Sequence, residues 1–89
     1  MKLNFNKTCD GCPEQYDVYD ENGRYVAYIR LRWGHLRVDD DMGNTIYSHD
    51  FEECYKGWFD TDEEREAYLG LIGTKIQDHY SNRDYQSHL

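Results

Sequence analysis

The residues of this 89-residue chain whose types and spacing could do chemistry are three cysteines, four histidines and a segment rich in arginine. Cys9-Asp-Gly-Cys12 has the spacing of a zinc knuckle, in which a tight turn aims two thiolates at one metal. A tetrahedral site needs two more ligands, and His35, His49, Cys54 and His79 are on offer without a second C-x-x-C pair. His49 and Cys54 lie close in sequence, so a Cys3His zinc site of Cys9, Cys12, His49 and Cys54 is one expectation. The plain alternative is that the cysteines serve as small buried apolar residues. A redox role is weaker: thioredoxin-type pairs open a helix whose N-terminus lowers the thiol pKa, whereas this pair precedes a strand.

Catalysis finds little else to work with. The carboxylates come in runs, Asp39-Asp-Asp41, Glu52-Glu53 and Asp62-Glu-Glu64, which read as solvated faces and helix caps. Ser48 and His49 are adjacent, and adjacent strand residues point apart, so they do not make a nucleophile–base pair. There is no phosphate-cradling glycine loop, no dinucleotide fingerprint and no H-E-x-x-H. The expectation is a protein that is not an enzyme and needs no cofactor, with zinc as the exception to test.

Arginine is concentrated where acid is missing. Between Glu21 and Asp39 stand Arg24, Arg30, Arg32 and Arg37 and no carboxylate. Strand alternation over Arg24–Trp33 sends Tyr25, Ala27, Ile29, Leu31 and Trp33 to the core and Arg24, Val26, Tyr28, Arg30 and Arg32 to the other face. One reading is an anion site: guanidinium forks of Arg30, Arg32 and Arg37 for phosphate or carboxylate, with Tyr28 as a stacking surface. The other is that these arginines pair across strands with Asp17, Asp39 or Asp41 and cover a bare sheet.

The acids set the class of partner. Net charge is −8, which repels nucleic acid and anionic membrane and suits a protein partner with a basic surface. The simpler account is solubility. From Asp50 to Glu66 eight acids face only Lys56 and Arg65. In this band Asp50, Glu52, Glu53, Asp62 and Glu63, with Trp58 and Phe59 as exposed anchors, are the candidate partner-binding residues. Read plainly, the band is a helix cap and a solvated loop.

These residues must be carried by one small α+β domain. Gln15–Tyr19, the turn Asp20-Glu-Asn-Gly23, and Arg24–Trp33 read as a β-hairpin, since Asn-Gly between β-rich runs is a strong turn signal. His35–Asp39 and Thr45–Ser48, separated by Asp40-Asp-Met-Gly-Asn44, add strands, and Leu3 and Phe5 alternate as a short first strand would. Short connections make an antiparallel β-meander of three to five strands. Asp60 or Thr61, each with Glu three residues on, caps a helix whose Tyr68, Ile72, Ile76 and Tyr80 form an apolar stripe to pack on one face of the sheet. The domain is expected over residues 1–80, with 81–89 a fraying polar tail. Edge strands in so small a sheet also leave a homodimer open. No apolar run approaches the ~20 residues of a membrane span. The start lacks the apolar stretch of a signal peptide, so the cytoplasm is the expected location.

Cys12-Pro-Glu-Gln-Tyr-Asp17, Tyr28-Ile-Arg-Leu-Arg-Trp-Gly34, Gly57-Trp-Phe59 and Glu64-Arg-Glu-Ala-Tyr-Leu69 together resemble a group of small proteins from phages and prophages of Gram-positive bacteria. The likeness spans roughly residues 9 to 76. The group has no defined activity, so no site residue is carried over. What the resemblance implies is context: an accessory protein of a mobile element, acting in a bacterial host cell. Such proteins often inhibit host machinery or antiviral defence, by covering a protein surface or by sequestering a nucleotide signal.

Overall fold

The computed structural model describes residues 1–9 and 13–87. Five strands, β1 (Asn4–Lys7), β2 (Glu14–Tyr19), β3 (Tyr25–Arg32), β4 (His35–Asp40) and β5 (Thr45–Asp50), precede one helix, α1 (Asp62–Ser87). The strands pair in chain order, each antiparallel to the last, so the sheet is the expected α+β meander. Tyr16, Val18, Ala27, Ile29, Leu31, Leu36 and Val38 bury their side chains with Ile72, Ile76 and Tyr80 of the helix. Among the described residues the other sheet face carries no helix.

The β2–β3 and β4–β5 turns repeat one device, and the β3–β4 turn is another kind of connection. The Asp20 carboxylate accepts the N–H groups of Asn22 and Arg24 at 2.9 and 3.0 Å, and Gly23 follows at φ 79°. The Asp40 carboxylate accepts those of Met42 and Asn44, both at 2.9 Å, and Gly43 follows at φ 82°. Each turn ends in a bulge: Val18 faces Ala27 while Tyr19 faces Tyr25, and Val38 faces Tyr47 while Asp39 faces Thr45. The extra residues are Val26 and Ile46, and bulges redirect side chains. Val26, expected on the outer face, is therefore buried, and Tyr25, expected in the core, is exposed.

The third turn corrects a second expectation. Arg32 pairs with His35, leaving Trp33 and Gly34 as a two-residue connection at φ 54° and 71°. Positive φ at both positions is the type I′ geometry that matches strand twist. Trp33 thus leaves the alternation and stands 70% exposed rather than in the core. Gly34 is buried against the following loop, and a Cβ there would lie 2.6 Å from the Glu53 carbonyl oxygen.

The helix begins as its sequence requires. Thr61 Oγ1 accepts the Glu64 N–H and Glu64 reaches back to the Asp60 N–H, both at 3.0 Å, a capping box displaced by one residue. It runs on to Ser87, through the first residues of the polar tail expected from Ser81. The reason is local: the Tyr80 hydroxyl donates to the Val26 carbonyl at 2.6 Å, and Arg83 reaches Asp41 at 2.7 Å, binding the last turns to the sheet.

Two glycine substitutions separate these constraints. At Gly70 an added Cβ meets nothing within 4 Å, so Gly70→Ala should stabilise by about 1 kcal/mol through helix propensity. Gly34→Ala, strained in φ and blocked by backbone, should cost about 2 kcal/mol or more. Urea denaturation midpoints read both, and equal midpoints for the two variants would contradict this account.

Candidate functional site

The segment between β5 and α1 has no regular structure, yet buried charges hold it. Glu14, the first residue of β2, is 1% exposed. Its carboxylate accepts hydrogen bonds from the Tyr16 hydroxyl, from the Phe59 N–H at 3.1 Å, and from Arg65 Nε and Nη2 at 2.8 and 3.2 Å. A buried carboxylate is tolerable only when paired and hydrogen-bonded, and this one is both. Burial opposes its charge, but the bonds from Arg65, Tyr16 and Phe59 outweigh burial and hold its pKa below the ordinary value. Burial and the bond to Glu14 together push the Tyr16 phenol far above its ordinary value.

Lys56 forms the second anchor. Its ammonium is buried, 2.9 Å from Asp60 and 3.0 Å from Glu64, and lies over the Phe51 ring. Backbone bonds join the same segment to two hairpins: Glu14 N–H to Gly57 carbonyl at 2.7 Å, Gly34 N–H to Lys56 carbonyl at 2.8 Å, and Phe51 N–H to Gly34 carbonyl at 2.7 Å. The loop is pre-organised.

Its outward residues are the aromatic ones. Tyr55 is 72% and Trp58 50% exposed, and both line a cleft of about 160 Å³ with Glu53, Lys56 and Asp60. Phe59, expected as a second exposed anchor, is instead 2% exposed, with its ring stacked on Tyr68 at 5.3 Å. The bond from its N–H to Glu14 turns that side chain inward. Tyr55 is the aromatic that sequence reasoning missed; in an irregular loop no periodicity marks which residues face out.

The acids divide into bound and free. Asp50 lies 2.6 Å from the His35 ring, and Asp62 pairs with Arg65 at 2.6 Å although its side chain is exposed. Asp60 and Glu64 hold Lys56. Glu52, Glu53, Glu63 and Glu66 are exposed and make no ion pair among the described residues. Of these four, Glu53 lines the cleft beside Tyr55 and Trp58.

On the uncovered sheet face, Arg30 sits directly opposite Arg37, and Arg32 opposite His35. With Trp33 these four residues line a cavity of about 330 Å³. Tyr28, expected to stack there, lies one row away between Asp17 and Asp39, its hydroxyl bonded to Gln15 at 2.6 Å. Of the cross-strand pairs expected for the arginines, Arg24 reaches Asp41 at 3.7 Å, while Arg37 meets Asp39 on its own strand at 3.2 Å.

The zinc ligands do not assemble among the described residues, where no group of three or more His, Cys, Asp or Glu could hold a metal. Cys12 lies outside those residues. Cys9 is half-buried and Cys54 exposed, both as free thiols. The His49 ring packs edge-on against Phe51 at 4.7 Å and beside Tyr68. Among the described residues no helix is long and apolar enough to cross a membrane. No protein-family model matches the chain, and no curated protein or solved structure matches it either.

The buried carboxylates make stability depend on pH with a definite sign. The folded pKa of Glu14 lies below its ordinary 4.5. That of Asp40 lies below 3.8, because N–H groups of Asn44 and Met42 and the His79 ring outweigh the burial that opposes its charge. The stability each contributes is complete above the ordinary value and is lost as pH falls through the lowered one. Unfolding midpoints should be level between about pH 6 and pH 8 and fall steeply below about pH 4. Glu14→Gln, which removes the buried partner of Arg65 and leaves it only the exposed Asp62, should cost about 3 kcal/mol at neutral pH. It should also flatten the acid decline, and a variant as acid-sensitive as the parent would refute this assignment.

Proposed function

We propose that this protein is a small non-enzymatic binding protein that docks on a basic surface of a protein partner and inhibits it by covering that surface. The observation that carries this reading is the pair of exposed aromatic residues, Tyr55 and Trp58, on a loop pinned by buried charges and flanked by unpaired acids. Rigid aromatic side chains are the usual energetic centres of protein interfaces, and pre-organisation lowers the entropy lost on binding. Glu52, Glu53 and Glu63 add the long-range attraction that speeds encounter with a basic partner.

The resemblance to phage and prophage proteins supports a partner in the bacterial cytoplasm: a host nucleic-acid-handling or antiviral-defence protein. The surfaces by which such proteins hold phosphate backbones are rich in Lys and Arg. A chain of net charge −8 is suited to compete for them and unsuited to bind the nucleic acid itself.

The test is affinity capture from a Gram-positive host lysate with the parent protein, Trp58→Ala, and the triple reversal Glu52→Lys, Glu53→Lys, Glu63→Lys as baits. A host protein held by the parent and lost by both variants is expected. With that protein purified, Trp58→Ala should weaken binding by about 2 kcal/mol, roughly thirtyfold. The affinity of the parent should fall as salt is raised. A partner retained equally by all three baits would sink the proposal.

A further inference from the structure

The docking loop leaves the uncovered sheet face unexplained, and that face is built at some cost. Arg30 and Arg37 stand directly opposite each other on β3 and β4. Like charges in facing positions destabilise a sheet unless something neutralises them. The Nε atoms of both are buried; that of Arg37 lies 3.2 Å from the Asp39 carboxylate, while that of Arg30 lacks any hydrogen-bond partner among the described residues. Arg30 and Arg32 make no ion pair among those residues. Buried donors without acceptors are rare in folded proteins, and a guanidinium fork is the donor that fits a phosphate.

Trp33 adds the second half of the argument. It stands 70% exposed at φ 54°, a backbone conformation unfavourable for a large side chain. An exposed ring contributes little burial to offset that strain, and strain of this kind gathers at functional sites. The Arg32 guanidinium lies 5.8 Å from the ring centroid, so aromatic surface and cation are presented together. His35, facing Arg32, completes the cavity wall.

We infer that Arg30, Arg37, Arg32 and Trp33 form a binding site for a small phosphorylated ligand with a planar ring, a nucleoside phosphate. The arginines of β3 and β4 take the phosphate, and Trp33 takes the ring. The surrounding charge sets the size of the ligand. Asp39 bounds the basic patch at one end and Asp50, beside His35, at the other. A continuous phosphate backbone would run onto these carboxylates, while a single phosphate group would not. The cavity volume of about 330 Å³ is that of a small-molecule site.

Isothermal titration calorimetry and thermal melts of the full chain test this with AMP, GMP, ADP and GDP against adenosine and inorganic phosphate. At least one nucleotide should bind with Kd below about 1 mM and raise the melting temperature. Adenosine and inorganic phosphate should each bind about tenfold more weakly, since each offers half of the recognition. Arg30→Gln and Arg37→Gln should each weaken nucleotide binding by about tenfold or more. The ligand-free melting temperature of these variants should hold or rise, because removing one charge relieves the facing pair. Trp33→Asn, which tolerates positive φ, should bring nucleotide affinity down to that of inorganic phosphate and leave phosphate binding unchanged. Absence of heat and of thermal shift with all four nucleotides would overturn the inference, as would phosphate binding as tightly as they do. Should Arg30→Gln fail to fold, Arg30→Lys keeps the charge without the fork, and unchanged nucleotide affinity there would also overturn it.

Discussion

A single buried carboxylate, that of Glu14, joins the three parts of this molecule. Its own backbone belongs to β2, its oxygens hold the Phe59 N–H of the loop, and they take the Nε and Nη2 donors of Arg65 on the helix. Apolar packing alone would hold the helix on the sheet, but it is non-directional and would not fix the path of the chain between them. The charge network fixes it. Isolated in the interior, the carboxylate would be costly; surrounded by four donors, it specifies one loop conformation, and Lys56 with Asp60 and Glu64 does the same a few residues away.

The two surfaces of interest follow from that arrangement. Because Lys56 and Phe59 are drawn inward, Tyr55 and Trp58 are turned outward, and the acids not used in anchoring remain free. Because the helix is committed to one sheet face, the other is bare, and there β3 and β4 bring Arg30 and Arg37 side by side. The arginines lie on the bare sheet face, and Tyr55 and Trp58 on the loop between β5 and α1.

Local signals were legible and long-range ones were not. Asn22-Gly23, the alternation of β3 and the Thr61–Glu64 cap mark hairpin and helix from neighbouring residues alone, and the meander follows from short connections. The bulge after Val18 is invisible to alternation, since one extra residue resets which side faces the core; hence the inversion at Tyr25 and Val26. Trp33 was misplaced because a two-residue turn between Arg32 and His35 overrides hydrophobicity. Phe59 and Trp58, adjacent and similar, are told apart only by the tie from the Phe59 N–H to Glu14, far away in sequence. The arginines of the candidate anion site were found from composition, but the aromatic beside them depended on the turn.

Strict order along the chain has a consequence for how the protein is made. Every strand pairs with its sequence neighbour, so the sheet can close hairpin by hairpin as it leaves the ribosome, with low contact order. The helix emerges last. Until then Ile29, Leu31, Leu36 and Val38 lack their helix partners and the Glu14 carboxylate awaits Arg65, so the sheet forms before its buried face is covered.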